Sequence, residues 1–130
     1  MLTTSLLNPQ ILSLLARVRH TNMLVIADRG FPFWPMIETV DISLTDDIPT
    51  VLQVLAAVRG QAAFGHAYMA EEFQSANSDA TQTAFRQALE GIPLIHESHE
   101  EKFKKRIPGA IGLIRTGDTT PFANLILVSA

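Results

Sequence analysis

The sequence predicts an α/β fold, a three-layer α/β/α sandwich around a central, mostly parallel sheet. Segments with helical and strand-like patterns alternate along the chain, the arrangement that leads to a sheet with helices on both faces. Met23-Leu24-Val25-Ile26-Ala27 is an unbroken apolar run, as expected of a strand buried on both sides. The 130 residues leave no room for a second core and a linker, and they contain no repeat or low-complexity tract, so residues 1–130 form a single domain.

Asn8-Pro9 reads as N-cap and first helical position, with Ile11, Leu12, Leu14, Leu15 and Val18 on one broad face and a stop near Arg19-His20. After the 23–27 strand, Gly30, Pro32 and Pro35 make residues 28–35 a loop. The alternation from Glu38 to Ser43 predicts a short strand. Asp46 or Asp47 is expected to cap the next helix, with Pro49 in its first turn and Val51, Leu52, Val54 and Leu55 facing inward. Gln61 to Met69 predicts a strand, and Asn77 or Ser78 starts a helix through Leu89 closed by Gly91. Ile92 to His96 is a further strand. Ser98-x-x-Glu101 has the form of a capping box opening a basic helix to Arg106. Residues 110–114 and 123–128 are strands around the loop from Arg115 to Pro121. In such sheets ligands sit beyond the carboxyl ends of the strands, which draws attention to Asp28 and to Thr116-Gly117-Asp118.

Composition narrows the function. With no cysteine, disulfides, thiolate nucleophiles and thiolate zinc sites are excluded. A net charge of −3 and a pI near 5.7 suit nucleic acid poorly. No apolar run reaches the roughly 18 residues of a membrane span, and the N-terminus lacks the basic and long apolar regions of a signal peptide, so no membrane partner is expected and a soluble, intracellular protein is the expectation. Charged residues make up 18% of the chain, against roughly 25% in a typical domain. On a small domain, so few charges point to surface covered by further copies, a homo-oligomer.

No P-loop, G-x-G-x-x-G, G-x-S-x-G or H-E-x-x-H is present, and His20, His66, His96 and His99 show no metal-ligand spacing, so no metal is expected, and nucleotide-phosphate and serine-hydrolase chemistry lose their support. His20 and Asp28 flank the first buried strand. From spacing alone the pair reads more readily as a helix-end cation and a turn residue than as an acid–base imidazole with a carboxylate partner. Phe31, Phe33 and Trp34 offer a flat apolar wall that suits a core or an interface before a sugar. Lys102, Lys104, Lys105 and Arg106 read as a solvated helix face, and Glu71-Glu72 as a solvated helix start.

Taken together these blocks resemble the D-ribose pyranase and L-fucose mutarotase family. They are Leu7-Asn8, Arg19-His20-Thr21 ahead of Val25-Ile26-Ala27-Asp28, Gly30-Phe31-Pro32, Asp41-Ile42-Ser43-Leu44, Ala70-Glu71-Glu72, Ser98-His99-Glu100-Glu101, Ile114-Arg115-Thr116-Gly117-Asp118 and Thr120-Pro121-Phe122-Ala123-Asn124. The order fits from Leu7 to Val128. The resemblance implies cofactor-free interconversion of sugar ring forms in the cytoplasm by a toroidal oligomer, usually a decamer of two stacked pentamers. It implies that His20 is the proton donor and that Asp28, His99, Phe122, Ala123 and Asn124 bind substrate. It favours D-ribose, with L-fucose or a non-catalytic sugar-binding accessory of transport as alternatives. Two residues depart from the family pattern. Phe122 stands where the family usually has Tyr, which removes a hydroxyl. Arg29 replaces a small residue and is expected to hold Asp28 ionised.

The chemistry implied is that of a hemiacetal. Ring opening removes a proton from the anomeric hydroxyl and delivers one to the ring oxygen, which an imidazole titrating near neutrality can do. A straight strand over residues 21–28 would separate His20 from Asp28 by about 25 Å at roughly 3.3 Å per residue. Either the chain folds back near Thr21-Asn22 or two protomers share one site, and the second arrangement is expected.

Overall fold

The computed structural model describes residues 1–130. Six strands, β1 (Met23–Ala27), β2 (Glu38–Asp41), β3 (Phe64–Ala70), β4 (Leu94–Glu97), β5 (Gly112–Arg115) and β6 (Leu125–Ser129), form one sheet in the order β2-β5-β1-β6-β3-β4. β5 runs parallel to both β1 and β2, and β3 runs parallel to β4. β6 is antiparallel to both its neighbours, β1 and β3, which makes it the one reversed strand. The mostly parallel α/β sandwich expected from the alternation is therefore the fold.

The period-2 alternation of β1 splits the core. Leu24 and Ile26 face one side with Leu125 and Leu127, under α1 (Pro9–Arg17), α2 (Val51–Arg59) and α4 (Asp79–Ala88). Val25 and Ala27 face the other with Leu113 and Ile126. There the cover is thinner: Phe31 and Ile37 from the loop after β1, and Phe103 and Ile107 from a short helical segment. Each such side chain removed from water contributes about 1.5–3 kcal/mol, so both layers hold the sheet.

Asn8 caps α1 as expected, its side chain accepting from Ile11 N at 3.0 Å, and the helix ends at Arg17, two residues before the predicted stop. The cap of α2 differs from the expectation. Thr50 takes that role in a reciprocal pair with Gln53, while Asp47 adopts φ 62° and accepts from the Thr119 amide at 2.8 Å. Asp47 is thus spent on a loop-to-loop tie that local sequence does not reveal. Ser78 caps α4 and Gly91, at φ 83°, follows it as predicted. A short helix, α3 (Glu72–Ala76), begins where Glu71-Glu72 reads as a helix start. The basic helix after Ser98 is a π-turn over His99–Phe103, then α5 (Lys104–Arg106) and a 3-10 turn (Ile107–Gly109).

Thr116 and Asp118 lie fully inside. The Asp118 carboxylate accepts from Val51 N and Thr120 N, both at 2.8 Å, and so anchors the start of α2. Thr116 Oγ1 donates to the Ala27 carbonyl at 2.8 Å. This Thr-Gly-Asp segment ties β5 to β1 and α2.

Candidate functional site

β1 delivers Asp28 to the carboxyl end of the sheet, where open α/β folds place ligands. The antiparallel register Ile26↔Leu125 then brings Asn124, just ahead of β6, beside it. The two residues clasp each other. Asp28 N donates to Asn124 Oδ1 at 2.7 Å, and Asn124 Nδ2 donates to Asp28 Oδ2 at 3.1 Å. Gly30 N donates to the other carboxylate oxygen at 2.9 Å. Asn124 is only 3% exposed, so its amide orientation is fixed by this exchange.

Burial raises the Asp28 proton affinity above the ordinary carboxylate value, outweighing the hydrogen bonds from Gly30, Asn124 and Phe31, and the Asp118 charge acts in the same direction. The expected effect of Arg29 does not occur. Its guanidinium turns outward to Asp46 at 2.5 Å, where both groups are solvated, and leaves Asp28 without a cation.

His99 opens the π-turn and is 9% exposed. Its ring stacks on Phe103 (5.7 Å, 16°) and meets Phe122 (5.2 Å, 80°) and Phe31 (6.5 Å, 83°) edge-on. Nδ1 is buried without a hydrogen-bond partner. Burial lowers its proton affinity first and the Lys104 charge second, against upward pulls from Glu100, Glu72 and Asp28. A neutral imidazole is therefore favoured, able to donate from one nitrogen or accept at the other.

Asp28, Gly30, Phe31, Pro32, His99, Lys104, Phe122 and Asn124 line a cleft of about 230 Å³. That is below the roughly 300–1,000 Å³ of pockets for drug-sized molecules, and suits a small polar ligand. Four of the residues expected to bind substrate, Asp28, His99, Phe122 and Asn124, meet there. Ala123 does not line it, because its side chain is fully buried in the α1–α2 face of the core. His20 is also absent. It is exposed in a tight turn at the opposite end of β1, where Asn22 Oδ1 accepts from Arg19 N at 2.8 Å.

Of the other lining residues, Gly30, Pro32 and Lys104 are not site residues in the sequence reading, and Phe31 reads there as core or interface before a sugar-facing wall. Lys104 belonged to a run read as solvated, and within that run Arg106 also departs from the reading: it makes a two-pronged bond to Glu97 at 2.6 and 2.8 Å and lies 3.8 Å over the Tyr68 ring. Phe31 was legible as an aromatic three residues beyond Asp28. Nothing in the local pattern assigned it to the cleft rather than the core, and it serves both. No group of three or more His, Asp or Glu side chains is placed to hold a metal ion, and no helix is long and apolar enough to cross a membrane.

The sequence matches the family model described as the RbsD / FucU transport protein family over residues 1–130. It is 41% identical over 123 residues to the D-ribose pyranase of Chromobacterium violaceum, covering 95% of this chain and 92% of that one. Among solved structures, Bacillus subtilis RbsD complexed with D-ribose superposes with a TM-score of 0.92 at 30% identity, covering 100% of this chain and 98% of that one. The fucose mutarotase of Streptococcus pneumoniae, in complex with L-fucose, shares the fold at a TM-score of 0.75 and 19% identity, over 95% of this chain and 92% of that one.

Proposed function

This chain belongs to the RbsD / FucU transport protein family, and on that premise we propose that it is an isomerase interconverting the ring forms of a monosaccharide, D-ribose in the first place. The observation that carries the reading is the cleft: a clasped carboxylate and a buried imidazole beside an apolar wall, in a space of monosaccharide size. Hydroxyls can donate to Asp28 and exchange hydrogen bonds with His99, while Phe31 and Phe122 cover the carbon face of the ring. With the sugar so held, opening requires only a proton taken from the anomeric hydroxyl and one given to the ring oxygen. Reclosure through a different hydroxyl, or on the other face of the carbonyl, yields the other form.

His20 is the proton carrier in this reading. The chain turns at Thr21 (φ 67°) before β1 begins at Met23, and His20 lies at the far end of that strand from Asp28, outside the cleft of its own chain, so in this reading it serves the cleft of a neighbouring copy. The exposed side chains of Phe33, Met36, Leu44 and Ile48, together with the sparse charge, support such self-association. We propose a homo-oligomer, a decamer of two stacked five-membered rings, working in the cytoplasm.

Saturation-transfer NMR on D-ribose and L-fucose tests the reaction. The native protein should speed exchange between ring forms, and His20→Ala should lower that rate by about 10²–10⁴ with the fold intact. Mixing His20→Ala with Asp28→Asn, each nearly inactive alone, should restore part of the rate, because some shared sites then hold both native residues. Activity lost in His20→Ala but not regained on mixing, in a mixed assembly, would place each site within one protomer. The absent hydroxyl at Phe122 favours a second reading, a sugar binder without turnover. Ligand-dependent shifts with no faster exchange would establish it.

A further inference from the structure

The turn that carries His99 is wider than an α-helix. Phe103 N donates to Ser98 O at 2.9 Å and Lys104 N donates to His99 O, both five residues apart. In an α-helix such residues lie about 140° apart around the axis, at about 100° per residue. Here the five-residue bond turns Lys104 back towards the side of His99, and both line the cleft. Had Ser98 begun the α-helix that its capping pattern predicts, the two side chains would diverge. Single π-turns are frequent at functional sites.

What holds this turn comes from elsewhere in the chain. The parallel register Ala70↔Glu97 sets the end of β3 beside the end of β4, and Glu71 N extends the pairing to Glu97 O at 2.7 Å. Glu72, next in the chain, presents its carboxylate to the His99 amide, with both oxygens at 3.1 Å from the nitrogen. The first amides of a helical turn lack partners within the turn, and Ser98 Oγ reaches only Glu101 N, at a long 3.4 Å.

We propose that Glu72 is a positioning residue: by gripping the His99 amide it keeps the turn in its widened form and so sets His99 and Lys104 together on the cleft wall. The role rests on the ring-interconversion reading above. Glu72 also acts through charge. The groups facing His99 are Lys104 on α5, Glu100 in the turn itself, Glu72 on α3 and Asp28 after β1, and the three carboxylates oppose the effect of burial and Lys104 on the imidazole.

The test compares Glu72→Gln with Glu72→Ala in the full-length protein. It measures ring-exchange kinetics across pH, and His99 titration by imidazole NMR without sugar. Gln retains an acceptor for the amide but no charge. It should keep kcat within about threefold of native, while the His99 titration moves to lower pH. Ala should lower kcat/KM by about 10–100-fold, the scale of a small misplacement of reacting groups, and alter the His99 ring environment. Native-like kinetics and an unmoved His99 titration in Glu72→Ala would overturn the proposal. So would equal loss of activity in both variants in proportion to lost thermal stability, which would make Glu72 a fold residue alone. Should the native protein itself fail to speed ring exchange, the functional reading falls, while the His99 titration still decides whether Glu72 sets that imidazole.

Discussion

Replacing Asn124 with Ala removes both halves of the clasp on Asp28. The Asp28 amide, bonded at 2.7 Å, loses its acceptor, and the carboxylate loses a donor at 3.1 Å. A buried amide left unpaired costs about 1–3 kcal/mol, and a hydrogen bond to a charged group is worth about 1.5–3 kcal/mol. Asp28 is half-buried, so the lower half of each range applies. The expected loss is about 3 kcal/mol, or roughly 10–15 °C in melting temperature for a chain of this length. The carboxylate should also bind its proton more tightly, because Asn124 is one of the groups holding its proton affinity down. The acid limb of the pH–rate profile should therefore move to higher pH. Asn124→Asp sharpens the test. It keeps an acceptor for the amide but sets a second carboxylate beside Asp28, so its defect should be largest near neutrality and shrink in acid as one of the pair takes a proton. Differential scanning calorimetry and ring-exchange NMR at pH 4–8 would read both effects. A loss below about 1 kcal/mol in Asn124→Ala, with an unshifted acid limb, would refute the idea that this pair anchors the cleft.

His99 contributes to the pH dependence of folding, as does His96, whose proton affinity burial also lowers. For each, the proton affinity in the folded chain lies below the ordinary value of 6.5, so as pH falls through 6.5 the unfolded chain takes up a proton before the folded one does, and stability drops. His99→Gln should flatten the acid slope of urea midpoints; an unchanged slope would show that other groups set it. At Gly117 an added Cβ would overlap the Thr45 carbonyl and come within 2.8 Å of the Ile48 carbonyl, both backbone atoms. Gly117→Ala should cost at least about 2 kcal/mol by overpacking, measured by urea unfolding, and a neutral result would show that the 44–48 loop yields freely.

The fold was legible because its signals are local. An unbroken apolar run identifies β1, Asn8-Pro9 the start of α1, and Ser78 with Gly91 the limits of α4. Four residues of the cleft were legible through family resemblance, since spacing alone gave Asp28 only a turn. Pairings between distant segments were beyond local reading. The α2 cap passed from Asp47 to Thr50 because Asp47 is held by Thr119, and Arg29 left Asp28 because Asp46 competes for it in open solvent. The turn at His99 reads as an α-helix in sequence, since Ser98-x-x-Glu101 reports only what neighbours three residues apart can do. Sequence alone determined the mostly parallel sheet and the chemistry available at its carboxyl end. Only the tertiary structure decided which groups share that cleft, because β3–β4 pairing brings Glu72 against His99 and the reversed β6 lays Asn124 on Asp28, contacts that depend on strand order and register rather than on any neighbouring residue.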